Sequence, residues 1–307
     1  MVFHKIDDIL QKAVTLDKPR WVAVAGAENE HVVEAALRAQ KDAIAEPILV
    51  GRKDKIKALV ERCGGCLDED RYVDIPSNDP NEISREAIRL VREGKAQFIM
   101  KGGINTSELL RAILNKETGL KHDKVMTVIS FNEIPGYDKL VVFNDAGMIV
   151  YPTMEQKIEQ VKLVSQMLRD LGYDEQIKVA AVCAAETVSP KIIESVEADQ
   201  LKQMSLEGAF GDCYVEGPIS LDLALMEESA KIKGYESPVA GAADVILFPN
   251  LAAGNLCAKM LLVCGGGHSR SISMILGAGV PVAMTSRAAS VESKYASLAL
   301  AAAAVKE

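Results

Sequence analysis

Short apolar runs rich in β-branched residues alternate with amphipathic stretches along most of the chain. Residues 21–25, 48–50, 72–75 and 97–100 read as strands, with helical patterns near 31–43, 53–63 and 81–93 between them. That alternation is the sequence form of repeated βαβ units and predicts an α/β fold with a mainly parallel sheet. Further strand-like runs follow at 125–131, 140–143, 178–183, 213–215, 244–248 and 280–285. The clearest helix is predicted over 153–171. Thr153 and Gln156 form a capping box, Ile158, Val161, Val164, Leu168 and Leu171 share one face, and Gly172 stops it.

Composition narrows the class. The 307 residues, 49% hydrophobic and 25% charged, are ordinary for a globular protein and long enough to divide into two domains. With 35 Lys and Arg against 43 Asp and Glu the net charge is −8, and no long run of like charge occurs, so neither a nucleic-acid nor a membrane partner is expected. The first ten residues carry acids and no unbroken apolar core, so no signal peptide is expected and the expected localisation is cytoplasmic. The six cysteines, most of them within apolar strand-like runs (Cys183, Cys213, Cys257, Cys264), read as reduced core residues, and Cys63-Gly-Gly-Cys66 as a plain turn.

Four segments can carry chemistry. KGGINTSELLRAILNKE follows the strand at 97–100; Gly102 and Gly103 allow a tight turn, and Thr106 or Ser107 is expected to cap the helix. A helix start of this kind favours an anion, and Arg111 stands where its guanidinium could reach back to one. A solvated arginine on an ordinary strand–turn–helix fits the same spacing equally well. VPVAMTSRAASVESKYASLALAAAA likewise places hydroxyls and Arg287 at a strand end before a helix, with Ser290 as the expected cap and Glu292 in the first turn. In DVILFPNLAAGN, Asn250 and a Gly254-Asn255 turn can bond a polar ligand or simply shape the chain. EGPISLD at 216–222 has the same double reading.

No GxGxxG follows the first strand, and no Walker loop or GxSxG elbow is present. The four histidines lack metal-ligand spacing, so no metal is expected. The glycine-rich run 264–270 reads as a flexible connection in preference to a phosphate cradle.

Taken together and in order, KGGINTSELLRAILNKE, the MxxxPxxEQK form at 148–157, EGPISLD, DVILFPNLAAGN and TSRAAS resemble the phosphate acetyl/butyryltransferase family, its butyryl branch most, over nearly the full length. The resemblance implies the reaction acyl-CoA + phosphate ⇌ acyl phosphate + CoA on a short-chain acyl group, butyryl or similar, with acyl-CoA and phosphate as substrates and no metal or redox cofactor. It implies a two-domain fold similar to the isocitrate and isopropylmalate dehydrogenases, with an interdomain cleft, the domains falling at 1–122 plus 269–307 and at 123–268. A homodimer or larger homo-oligomer is implied too.

Carried over residue by residue, the resemblance makes Ser286, Arg287 and Arg111 catalytic and gives Thr106 and Ser107 a role at the substrate. With the residues flanking them, Gly102, Gly103, Asn250, Asn255 and Ser290 join the substrate-binding set, and Glu292 is the candidate acid/base. Three departures from the family pattern stand out. Ala289 replaces the acid of Ser-Arg-Ala-Asp-Ser, Ser293 stands where the acetyl branch has an aspartate thought to act on the CoA thiol, and Ala252 replaces the acid of LEAGN. Glu292 is the adjacent acid, and phosphate itself can carry the proton. A catalytically weak or silent relative that binds CoA or acyl phosphate is the alternative.

Overall fold

The computed structural model describes residues 2–120, 123–266, 268–286 and 289–306. In chain order the elements are α1 (Ile6–Val14), β1 (Arg20–Ala25), α2 (Glu30–Lys41), β2 (Ala45–Gly51), α3 (Lys53–Arg62), β3 (Tyr72–Asp74), α4 (Pro80–Arg92), β4 (Phe98–Lys101), α5 (Thr106–Ile113), β5 (Thr127–Asn132) and β6 (Val141–Asn144). They continue with α6 (Met154–Asp170), β7 (Ile177–Val182), α7 (Ile193–Leu206), β8 (Cys213–Ile219), α8 (Leu221–Leu225), α9 (Glu227–Lys233), β9 (Val245–Leu247), α10 (Leu251–Cys264), β10 (Ser271–Leu276), β11 (Val282–Ala283) and α11 (Val291–Ala303). The fold is mixed α/β with a large, mostly parallel sheet.

Two compact units divide the chain. A flanking unit holds Asp7–Met126 and Ile272–Glu307, and a central unit holds Met1–Ile6 and Thr127–Ser271. In the flanking unit the strands lie in the order β3-β2-β1-β4-β11-β10, parallel except for the β10–β11 pair. Parallel strands covered on both faces are apolar without alternation, which is why β1 and β4 read as unbroken Val, Ala, Ile and Met runs. The C-terminal helix α11 is buried from Lys294 to Ala303; its alanines let it lie close to α2 and β11. β10 is absent from the predicted strands because Ser271 and Ser273 interrupt its pattern. Ser273 finds its partners on neighbouring elements: its amide donates to Ser297 Oγ and its hydroxyl to the Met284 carbonyl.

In the central unit the order is β5-β6-β9-β7-β8, with only the β5–β6 pair antiparallel. Its core packs Phe143 edge-on against Phe248, with centroids 5.1 Å apart, among Val141, Ala180, Ile246 and Ile219. Burying each such aromatic contributes about 1.5–3 kcal/mol. The capping box predicted at Thr153 and Gln156 is formed at the start of α6. Residues 213–219 form one strand, so the turn expected at Glu216 and Gly217 is part of β8; Glu216 is buried there and pairs with Lys202 at 2.7 Å. Likewise the expected Gly254-Asn255 turn lies inside α10, which starts at Leu251. Gly254 is required there because a Cβ would sit 2.4 Å from the Asp145 carbonyl oxygen. Cys63 caps the end of α3, and Gly64 turns with φ +72° as expected, but Cys264 is exposed at the end of α10 rather than in the core.

Gly254→Ala is expected to destabilise the protein by about 1–3 kcal/mol or more, since backbone must move to admit the methyl group. Urea unfolding followed by circular dichroism measures this, and wild-type stability in the variant would contradict the close approach.

Candidate functional site

In the flanking unit β1 leads outward to β2 and β3, while β4 lies on its other side beside β11, so strand order reverses between β1 and β4. Open α/β sheets bind ligands beyond the carboxyl ends of strands at such a point. Here those ends are held together by backbone. Gly102 N donates to Ala25 O at 2.9 Å and Gly103 N to Gly26 O at 2.7 Å. A Cβ on Gly102 would lie 2.3 Å from Gly26 O, and Gly26 itself turns with φ +80°, so glycine is demanded at both positions.

The chain then enters α5. Its cap is Asn105, not Thr106 or Ser107 as the sequence suggested. The Glu108 carboxylate accepts from Asn105 N at 2.7 Å and from Nδ2 at 2.8 Å. Thr106, half-buried, and Ser107, exposed, are therefore the first helical residues, at the end where backbone N–H groups lack intrahelical partners. Arg111 is exposed near the other end of α5. Its guanidinium donates to Asn81 Oδ1 at 2.9 Å, a contact across to α4 and not back to the turn.

After β11, Thr285 and Ser286 lead toward Ser290, which caps α11 as predicted: its Oγ accepts from Ser293 N at 3.2 Å. Arg287 lies outside the described residues. Glu292 is exposed in the first turn of α11. The Ala289 carbonyl lies 3.3 Å from His31 Nδ1 at the start of α2, which brings the third strand end to this turn.

Three features of this layer were not found in the sequence. Lys101, 4% exposed, donates to the carbonyls of Gly102 and Ile104 at 3.3 and 3.1 Å. Lys294, 2% exposed, donates to Thr285 Oγ1 at 3.3 Å and to Ser286 O at 2.9 Å. Burial pulls the Lys294 ammonium below the usual lysine range. Glu28, just after β1, accepts from the backbone N and the guanidinium of Arg52, the closest contact being 2.6 Å. Burial opposes ionisation of Glu28, but the Arg52 hydrogen bonds and charge outweigh it and hold the carboxyl below its ordinary value. A lysine inside an otherwise apolar buried helix was the available signal for Lys294, since a charge there must be held by something.

Asn250 and Asn255 belong to the central unit and have local partners. Asn250 caps α10, its Oδ1 accepting from Ala253 N at 3.0 Å, and Asn255 Nδ2 donates to the Ala146 carbonyl at 3.0 Å. Among the described residues no group of three or more His, Cys, Asp or Glu side chains could hold a metal ion.

Comparison with known proteins now decides the family. The model described as phosphate acetyl/butaryl transferase matches residues 77–302. The chain belongs to this family. A phosphate acetyltransferase from Thermotoga maritima is 38% identical over 95% of this chain and 98% of its own. A phosphate butyryltransferase from Clostridium acetobutylicum is also 38% identical, over 98% of each. Equal identity to both means that overall similarity does not choose between the acetyl and butyryl branches. Among solved structures, a branched-chain phosphotransacylase from Enterococcus faecalis V583 superposes with a TM-score of 0.79 at 30% identity, covering 93% of this chain and 99% of that one. The family match contains both strand-end turns of the flanking unit, after β4 and after β11.

Glu28→Gln is expected to cost about 1 kcal/mol near neutral pH. Because the folded carboxyl titrates below its unfolded value, the stabilisation is complete above about pH 4.3 and fades as pH falls through the folded value. The stability difference between wild type and variant should therefore shrink in acid. Thermal melts across that range check the sign, and a difference that grew in acid would contradict it.

Proposed function

We propose that the chain is an acyltransferase catalysing acyl-CoA + phosphate ⇌ acyl phosphate + CoA on a short-chain acyl group, butyryl or similar, with the turns after β4 and β11 as its phosphate end. The observation that carries the reading is one of topology. KGGINTSELLR and TSRAAS follow strands β4 and β11, which are neighbours in one sheet, at the point where ligands of open α/β sheets bind.

The chemistry balances with two substrates alone. An oxygen of hydrogen phosphate attacks the thioester carbonyl, the C–O bond forms, the C–S bond breaks, and the phosphate proton ends on the CoA sulfur. Negative charge builds on the carbonyl oxygen of the tetrahedral intermediate. Preorganised donors stabilise such charge, and orientation of the nucleophile supplies much of the rest. We assign the N-terminal amides of α5 with Thr106 and Ser107 to phosphate, Ser286 and Arg287 to the reacting centre, and Arg111 to the anionic rim. Arg111 would have to leave Asn81 to act there, and its exposure makes that movement inexpensive. Ser290 serves first as the cap of α11, and Glu292 is the candidate for proton transfer. The finer fold assignment, similar to the isocitrate and isopropylmalate dehydrogenases, is part of the same proposal. So is catalysis without a cofactor.

Ala289 and Ser293 favour a second reading, a relative that binds CoA or acyl phosphate and turns it over slowly or not at all. Purified protein mixed with phosphate and an acyl-CoA series from acetyl to branched chains separates the two through release of free thiol. Release above background is expected, with the chain-length preference read from kcat/KM. Arg287→Ala should lower kcat/KM by about 10²-fold or more. Silence with every acyl-CoA, together with calorimetric binding of CoA, would leave the second reading standing.

A further inference from the structure

Among the described residues, Lys294 is a buried cation without a buried anion. Only 2% of the residue is exposed, and among the described residues no carboxylate lies within ion-pair distance of its ammonium. Its described partners are neutral: the Thr285 hydroxyl and the Ser286 carbonyl. Buried charges in proteins are normally paired, because desolvation of an ammonium is costly unless an opposite charge compensates it. Lys157, another buried lysine, obeys the rule. Its side chain, 5% exposed, pairs with Glu197 at 2.5 Å, and the part-buried Lys139 likewise pairs with the buried Asp244. Lys294 departs from it in one place, the turn that follows β11.

A second buried lysine, Lys101, ends β4, the strand paired with β11. The β4–β11 ladder ends with Ala283 opposite Met100, so Lys101 and Met284 are the next residues on the two strands. Lys101 donates to carbonyls of the 102–104 turn, as Lys294 does to the 285–286 turn. Lys101 holds two carbonyl oxygens of its turn, and Lys294 holds one carbonyl and one hydroxyl. Both cations also raise the potential at the strand ends.

We propose that Lys294 is a positioning residue for phosphate: it holds the Thr285–Ser286 backbone, and its uncompensated charge is balanced when the dianion binds to that turn. This rests on the assignment of phosphate to these turns made above. It goes further in naming the group that sets phosphate affinity, with Lys101 its counterpart on β4. The lowered proton affinity of the Lys294 ammonium fits a charge that lacks its partner until substrate arrives.

The test compares wild type with Lys294→Met, which keeps the length of the chain, and Lys294→Gln, which keeps a donor but loses the charge. In the thiol-release assay both variants should raise the KM for phosphate by about 10-fold or more and leave the KM for butyryl-CoA within about twofold. The melting temperature without phosphate should hold or rise in Lys294→Met, since replacing a buried charge by an apolar side chain is often neutral or stabilising. An unchanged phosphate KM in the Gln variant would overturn the proposal, and so would a parallel rise of both KM values with a fall in melting temperature. Should wild type release no thiol, the function assignment fails by itself. The rise of melting temperature with inorganic phosphate then decides, because a ligand of the folded state stabilises it. A rise in wild type that is smaller in both variants supports the role of Lys294; an equal rise, or none, refutes it.

Discussion

The constraint that shapes the strand ends of the flanking unit is the contact between the ends of β1 and β4. Gly102 lies so near Gly26 that a methyl group would reach 2.3 Å from the carbonyl oxygen, and two backbone hydrogen bonds lock the pair. The direction in which α5 leaves the sheet follows from it, and hence where Asn105, Thr106 and Ser107 stand. It also explains why the first strand needs no GxGxxG. The glycines that permit close approach are divided between two strand ends, Gly26 on one and Gly102 with Gly103 on the other.

Charge is the second organising element of the same layer. Glu28 and Arg52 satisfy each other at the ends of β1 and β2. Nearer the middle of the sheet, Lys101 is buried at the end of β4, and Lys294 on α11 is buried against the turn that follows β11. Burying an ammonium is costly, and we relate the presence of these two around the β4 and β11 turns to the anion that the family transfers. In the central unit the buried Lys157 has a carboxylate partner, Glu197.

Much of the secondary structure was legible because parallel strands and their covering helices have strong, different periods. The first four strands, the helices between them and the capping box at Thr153 stand within a few residues of the predicted positions. What failed did so for identifiable reasons. β10 has serines where the pattern needs apolar residues, and their partners lie elsewhere in the chain: Asn132 for Ser271, Met284 and Ser297 for Ser273. Gly254 looked like a turn residue but sits within a helix, because the glycine answers a neighbouring backbone and not a change of direction. Asn105 was passed over as a cap in favour of the hydroxyls that follow it, and only the Glu108 bonds distinguish them.

The residue order by itself determined the α/β class, most element positions and, through five motifs in a fixed order, the family. Those properties depend on local periodicity and on residue identity at fixed spacing, and both are written along one dimension. Tertiary structure alone decided which strand ends are neighbours, that His31 meets Ala289, that Arg111 leans on Asn81, and that Lys101 and Lys294 are buried. Burial and charge compensation depend on what lies opposite a side chain. For Lys294 that is a turn eight to nine residues earlier, folded back over the helix by the strand that precedes it.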